Sequence, residues 1–185
     1  MPASPQAQAT KTAWKIDPSH STIEFSAKHM MFTTVKGRFA DVDGTITTQD
    51  DTPGTATVDV TMQAASIDTR TEMRDNHLRS ADFLDVEQFP TVTFKSTKIA
   101  GSKEKFSVTG DLTIRGVTKR VSIDFEFTGS AVDPFGNTRV GFEGETVINR
   151  KDWGVNFNAA LEAGGVLVSE NITLEFEISA IKSAS

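Results

Sequence analysis

Apolar and polar residues alternate along most of this chain. The segments with this period of two are 23–29, 40–46, 56–62, 92–96, 106–114, 121–127, 140–148 and 172–180. In the segment 121–127, for example, Val121, Ile123 and Phe125 alternate with polar residues. Because successive side chains of a strand point to opposite faces, this period predicts about eight strands, each apolar on one face and polar on the other.

Turn signals separate several of these segments. They are Pro53-Gly54, Gly101-Ser102, Arg115-Gly116 and the stretch 133–137 (DPFGN). One-sided strands joined by short turns favour an all-β fold, and specifically a closed antiparallel barrel, because closure leaves no exposed sheet edge. A sandwich of two sheets is the alternative, and the period alone does not separate the two architectures.

One connection interrupts the strand pattern. Residues 63–90 do not alternate and are too long for a hairpin loop, so they need structure of their own. The run from Thr69 to Glu72 matches the capping box of a helix N-terminus. We therefore predict one inserted α-helix at about 69–80. A second irregular stretch covers 149–165.

Composition excludes several classes of protein. The chain has 185 residues, a formal net charge of −6 and no cysteine. The negative charge argues against a nucleic-acid partner and against electrostatic docking on an anionic membrane. No apolar run approaches the roughly 18 residues of a membrane span, so we expect no stable membrane insertion.

The first residues differ in composition from the remainder. Residues 1–13 are small and polar, contain two prolines and lack the apolar core of a signal peptide. They predict a disordered tail before a single barrel domain at 14–182. A cytoplasmic location follows from this, or a periplasmic or secreted one if a leader has been removed.

The inner faces of the predicted strands are rich in phenylalanine. The chain has 13 Phe and no Tyr. An eight-stranded barrel is just wide enough either to pack solid or to hold one small ligand, so a filled core and a ligand-binding lumen both remain open at this point. The residues that we expect to line such a lumen are Phe25, Ala27, His29, Val58, Val60, Met62, Phe94, Phe106, Val108, Leu112, Ile123, Phe125, Phe142, Leu174 and Phe176.

Candidate chemistry is sparse. The three histidines, His20, His29 and His77, match no compact metal motif, so we predict no metal and no cofactor. No nucleophile elbow is present, and we predict that the chain is not an enzyme. The enzyme alternative, a barrel acting on a small apolar substrate, would depend on His29 inside the lumen.

Several blocks of sequence, taken together and in order, resemble the YceI-like family of bacterial lipocalin-like proteins. These blocks are Trp14–Ser21, Phe25, His29-Met30, Gly37–Phe39, Ala65–Thr69, Arg74–Ser80, Asp82–Asp85, Phe89-Pro90, Phe94, Ser96, Gly110–Thr118, Asn149–Gly154 and Gly164–Val168. The resemblance covers about residues 14–182. The chain departs from the family pattern at Leu84, where a second Phe is more usual, and at Ser169-Glu170, where Gly-Asp is usual.

The resemblance implies an eight-stranded, lipocalin-like barrel with an inserted helix and an elongated apolar pore. It further implies binding, carriage or sequestration of a polyisoprenoid, a quinone or a fatty-acid derivative. A polar head group would lie at the pore mouth near the inserted helix, where Arg74, His77 and Trp153 are the candidates. The residue types favour a structural role for each of them over head-group recognition: a clamp between the helix and the barrel mouth for Arg74 and His77, and a plug of one barrel end for Trp153. A stress-related interaction protein with a filled core remains the alternative function, and a homodimer is also open.

Overall fold

The structure is a computed structural model that describes residues 8–50 and 52–184. It contains eleven strand segments, one α-helix and two short 3-10 helices. The strands are β1 (Lys11–Ile16), β2 (Thr22–His29), β3 (Thr33–Phe39), β4 (Val42–Gln49), β5 (Thr52–Gln63), β6 (Ile67–Asp68), β7 (Thr91–Gly101), β8 (Lys105–Ile114), β9 (Val117–Val132), β10 (Thr138–Asn149) and β11 (Asn171–Lys182). The helix α1 is Glu72–Arg79, and the 3-10 helices are Ala64–Ser66 and Arg150–Trp153.

The strands close into one antiparallel barrel. The ring runs β1-β4-β5-β7-β8-β9-β10-β11 and returns to β1 through the pairs Trp14↔Lys182 and Ile16↔Ala180. β1 and β2 pair with successive parts of β11, and the β2 part begins at the pair Glu177↔Thr22. In the same way, β3 leads into β4 after a short bend. The first two strands of the ring are therefore each bent into two segments. An eight-stranded antiparallel barrel with one helix confirms the predicted fold.

The two ends of the barrel are built differently. At the hairpin end, short turns join β4 to β5, β7 to β8 and β9 to β10. At the helix end lie α1, both 3-10 helices and the irregular segment 154–170. Inward residues on β5 change with position: Met62 and Val60 near the helix end are buried, whereas Val58 and Ala56 near the hairpin end are half-buried. The hydrophobic core therefore lies towards the helix end.

The helix begins later than predicted. α1 starts at Glu72 after Thr71, whose side chain makes no capping hydrogen bond, so the predicted capping box at Thr69 is wrong. The reason is local. Arg70 has a positive φ of 64°, which a helix does not tolerate, and both the amide and the hydroxyl of Thr69 donate to Asp75 Oδ1, at 2.8 and 2.5 Å.

The start of the barrel also differs from the predicted domain boundary. β1 begins at Lys11, three residues before the predicted start at Trp14. Residues 1–7 of the predicted disordered tail lie outside the described residues. Thr12 is buried, so part of the segment assigned to the tail is an integral barrel strand.

Glycines on the inner wall make room for aromatic rings. A Cβ added at Gly110 would lie 2.5 Å from the Phe94 ring and 2.5 Å from the backbone oxygen of Lys95. At Gly144 a Cβ would lie 2.5 Å from the ring of Phe125. Because the contact at Gly110 includes backbone, a rotamer change of the phenylalanine alone cannot relieve it.

We expect Gly110→Ala to lower the free energy of unfolding by about 1–3 kcal/mol, the usual cost of overpacking a core. Gly54→Ala is the matched control, because a Cβ there meets nothing within 4 Å. Urea unfolding followed by circular dichroism measures both variants. Equal stability of the two variants would contradict the close packing between Phe94 and Gly110.

Candidate functional site

The barrel encloses an apolar cavity of about 500 Å³. Its wall extends from Leu84 and Met62 near the helix end to Lys103 and Lys182 at the hairpin end. Several phenylalanine rings of the wall contact one another: the centroids of Phe106 and Phe125 are 5.9 Å apart and their planes differ by 15°. The interior of the barrel is therefore only partly filled by its own side chains.

Thirteen of the fifteen residues predicted to line a lumen lie on the cavity wall. They are Phe25, Val58, Val60, Met62, Phe94, Phe106, Val108, Leu112, Ile123, Phe125, Phe142, Leu174 and Phe176. The other two, Ala27 and His29, lie outside it. β2 pairs with β11 only as far as Ser26. Beyond that point it continues beside β3 and bridges the irregular segment through His29↔Val168, so its last residues leave the ring. His29 is exposed at the end of that strand, and its predicted place in the lumen is wrong.

None of the three residues predicted at the pore mouth lines the cavity. Trp153 is 2% exposed and packs in the core at the helix end, where its indole N–H donates to the carbonyl oxygen of Leu112 at 2.9 Å. It fills that end of the barrel, which is the place that the favoured role as a plug requires.

Arg74 and His77 also lie at the helix end. Arg74 donates from Nε to Thr69 Oγ1 and from a terminal nitrogen to the Thr69 carbonyl, both at 2.8 Å. His77 Nε2 is 2.8 Å from Asp82 Oδ2, and its ring lies edge-on to those of Phe83 and Phe157. These contacts lie within the helix segment and reach Phe157 of the irregular segment, so Arg74 and His77 do not lie at the mouth of the cavity. The same contacts do not reach a barrel strand, so a clamp between the helix and the barrel mouth stays a prediction.

A buried arginine completes the closure of the helix end. Arg150 donates to the backbone oxygens of Val155 at 2.8 Å and Ser169 at 2.9 Å. Burial lowers the pKa of this guanidinium. The carbonyl groups of the irregular segment are thus held around a charged group, which fixes the segment across the barrel end.

Lining residues at the hairpin end, such as Lys103 and Lys182, are exposed, whereas Met62 and Leu112 at the helix end are buried, so the cavity opens at the hairpin end. The polar residues of this mouth were not predicted. The mouth, as we use the term, consists of Trp14, Thr48, Lys103, Ser130 and Lys182. The ammonium group of Lys103 lies 5.6 Å from the Phe127 ring centroid, and that of Lys182 lies 5.8 Å from the Trp14 ring. Thr48 shares the parity of Ile46 on β4, so the alternation could have placed it on the inner face. It was missed because the prediction of inner residues relied on apolar side chains, and threonine is polar.

A short network of charges fixes the hairpin between β9 and β10 beside the mouth. Arg139 donates to Asp17 Oδ2 and to Asp133 Oδ2, both at 2.7 Å. Asp133 also accepts from the backbone amides of Phe135 and Asn137. Hydrogen bonds from Arg139, and then from Ser19, hold the pKa of Asp17 well below its ordinary value; those from Arg139 and Asn137 do the same for the pKa of Asp133.

Within residues 8–50 and 52–184, no group of three or more His, Asp or Glu side chains is arranged to hold a metal ion. In the same part of the chain, no helix is long and apolar enough to cross a membrane.

Known proteins resemble this chain in sequence and in fold. A family model described as a YceI-like domain matches residues 14–180. A UPF0312 protein of Pseudomonas aeruginosa is 41% identical over 153 residues, which are 82% of this chain and 80% of that protein. The crystal structure of Burkholderia cenocepacia BcnA superposes with a TM-score of 0.77 at 21% identity, covering 89% of this chain and 98% of BcnA. A polyisoprenoid binding domain from Saccharophagus degradans superposes with a TM-score of 0.69 at 13% identity, covering 95% and 100% of the two chains.

We expect Arg139→Gln to destabilise the protein at neutral pH, because Asp133 loses its ionic partner and Asp17 keeps only the ionic contact with His20. Since the folded-state pKa values of Asp17 and Asp133 are depressed, the stability they contribute is present above the unfolded-state pKa and is lost as pH falls. The difference between wild type and variant should therefore be constant above about pH 4 and shrink steadily below it. Urea unfolding at a series of pH values measures this.

Arg120→Gln is the control for that series, because Arg120 forms an exposed pair with Asp111 on the outer face of the barrel. Exposed pairs contribute little, so its effect should be the smaller at every pH. An Arg139→Gln effect that did not shrink in acid would contradict the assignment to the aspartates.

Proposed function

This chain belongs to the YceI-like domain family, and on that premise we propose that it is a non-enzymatic protein that carries or sequesters a lipophilic amphiphile in its barrel. The ligand classes that we infer are polyisoprenoids, quinones and fatty-acid derivatives. The observation that carries the proposal is the apolar cavity of about 500 Å³ with one open end.

The dimensions and lining of the cavity fit a single-chain ligand. Its volume lies within the range of roughly 300–1,000 Å³ that is typical of small-molecule sites. The wall between Met62 and Phe142 is formed by aliphatic and aromatic side chains. Each methylene removed from water contributes about 0.8 kcal/mol, so a long apolar chain would bind tightly with few polar contacts.

A structural neighbour supports the ligand class. The Saccharophagus degradans domain is described as polyisoprenoid-binding, and its barrel superposes over nearly the whole of this chain. The two sequences are only 13% identical, so the support concerns the shape of the barrel and not individual contacts.

The two alternative functions fit the geometry less well. A filled core, which the stress-related interaction protein would have, disagrees with a cavity of this volume. The barrel enzyme depended on His29 in the lumen, and that side chain is exposed outside the ring.

Filling the cavity should weaken ligand binding. Val58 lies on the wall near the middle of β5, and its neighbour Thr57 is exposed on the outer face. We expect Val58→Trp to weaken the binding of hexadecanol at least about tenfold, because the indole ring at position 58 would occupy the space that the ligand needs. Thr57→Trp should leave the affinity unchanged, because its ring would lie on the outer face. Isothermal titration calorimetry measures the affinities, and thermal unfolding checks that both variants fold.

A series of n-alkanols from octanol to hexadecanol tests the apolar contribution directly in the wild type. Each added methylene should strengthen binding about fourfold until the cavity is full, as the transfer free energy implies. Affinity independent of chain length, or equal binding by both tryptophan variants, would show that the cavity is not the binding site.

A further inference from the structure

We propose that the mouth of the cavity selects amphiphiles with an anionic head group, a carboxylate or a phosphate, held between Lys103 and Lys182 and hydrogen-bonded by Thr48. This inference rests on the proposed function and specifies the polar end of its ligand. It also places that end at the hairpin end of the barrel, opposite α1.

The charged side chains that face the cavity are both positive. Within the described lining, the charged residues are Glu24, Lys103 and Lys182. Glu24 alternates with Ile23 and Phe25, which face inward, so its carboxylate belongs to the outer face. The chain as a whole has a formal net charge of −6, and Glu104 and Asp50 lie in the hairpin turns at this end. Of the charged residues at this end, the two lysines are the ones that line the opening of the cavity.

The two lysines stand on opposite sides of the opening. Lys103 lies in the turn between β7 and β8, and Lys182 is the last residue of β11. In the ring, β9 and β10 separate them on one side, and β1, β4 and β5 separate them on the other. A ligand that leaves the mouth must therefore pass between two ammonium groups.

Aromatic rings hold both lysine side chains against the cavity wall. The ammonium group of Lys103 lies over Phe127, and that of Lys182 lies over Trp14. Such contacts are attractive, and they allow the aliphatic stems to cover apolar surface while the charged ends reach the mouth. The positive charges are thus positioned next to the apolar wall, as binding of an amphiphile requires.

Thr48 supplies an independent indication of a polar ligand atom. Its hydroxyl oxygen is buried and has no hydrogen-bond partner among the residues that the structure describes. Thr48 lies two residues beyond Ile46 on the inner face of β4, and Ile46 pairs with Trp14, which in turn pairs with Lys182. An unsatisfied buried hydroxyl is costly. The hydroxyl has no open surface in this structure, so a head-group oxygen at the mouth would satisfy it once the Thr48 side chain turns towards the opening.

Matched ligands that differ only in the head group test the proposal. Hexadecanoate is compared with hexadecanol, and farnesyl phosphate with farnesol, by isothermal titration calorimetry at low ionic strength. We expect each anion to bind wild type at least about tenfold tighter than its neutral partner, since hydrogen bonds to charged groups are the stronger ones. The preference should shrink at 0.5 M salt, because mobile ions screen exposed charges.

The double variant Lys103→Gln/Lys182→Gln should remove this preference and leave the affinity for the neutral partners unchanged. Lys36→Gln/Lys119→Gln is the control, because it makes the same change in net charge at exposed positions outside the cavity lining. Loss of the preference in both double variants would overturn a specific role for the mouth and indicate a general effect of charge.

Thr48→Val separates a ligand contact from a structural role. The valine has a similar shape and removes the unpaired hydroxyl, so we expect thermal stability without ligand to stay the same or rise. Affinity for hexadecanoate should nevertheless fall several-fold. A stability loss with unchanged affinity would assign Thr48 to the fold and remove it from the proposal.

Binding of neutral and anionic ligands by the wild type separates the head-group proposal from the lipophile-binding function. Equal binding of anionic and neutral ligands by wild type would overturn the head-group proposal and leave the lipophile-binding function intact. Binding of neither kind would overturn the function itself. A preference for farnesyl phosphate over hexadecanoate, or the reverse, would identify which anion the mouth accommodates.

Discussion

The pairing of β1 with β11 is the constraint on which the interior of this protein depends. The pairs Trp14↔Lys182 and Ile16↔Ala180 join the first and last strands of the ring, so every inner face is directed at one enclosed space. Eight strands fix the width of that space close to the limit at which side chains fill it. Here the filling stops partway, and a cavity of about 500 Å³ remains.

The contrast between the barrel ends follows from the length of their connections. Long segments at the helix end supply large side chains, and Trp153 and Phe83 are buried there. The tight turns at the hairpin end have few residues with which to cover an opening, and those present are held by local hydrogen bonds such as the ones to Asp133. Under the proposed function, an elongated ligand would therefore enter from the hairpin end and keep its polar end there.

The period of two determined most of what could be predicted, because it fixes which face each residue occupies. It placed Phe94, Leu112 and Phe125 on the inner wall, where they lie. It could not show where a strand leaves the ring, so His29 was assigned to a lumen it does not reach. The mouth was also missed, since it depends on which barrel end the long connections cover, and that is a property of the assembled fold. Thr48 and the two mouth lysines are polar, and an apolar pattern carries no signal for them.

Closure by the last strand also has a consequence for the order of events during synthesis. β11 pairs with β10 along its whole length and with both β1 and β2, so the cylinder has an open seam until residues 171–182 have left the ribosome. Until then the phenylalanine-rich inner faces of β5 to β10 are accessible from the seam. Non-local pairing of this kind is slow and leaves a nascent chain prone to aggregation. A ligand bound to these inner faces before β11 pairs would therefore also shield them during synthesis.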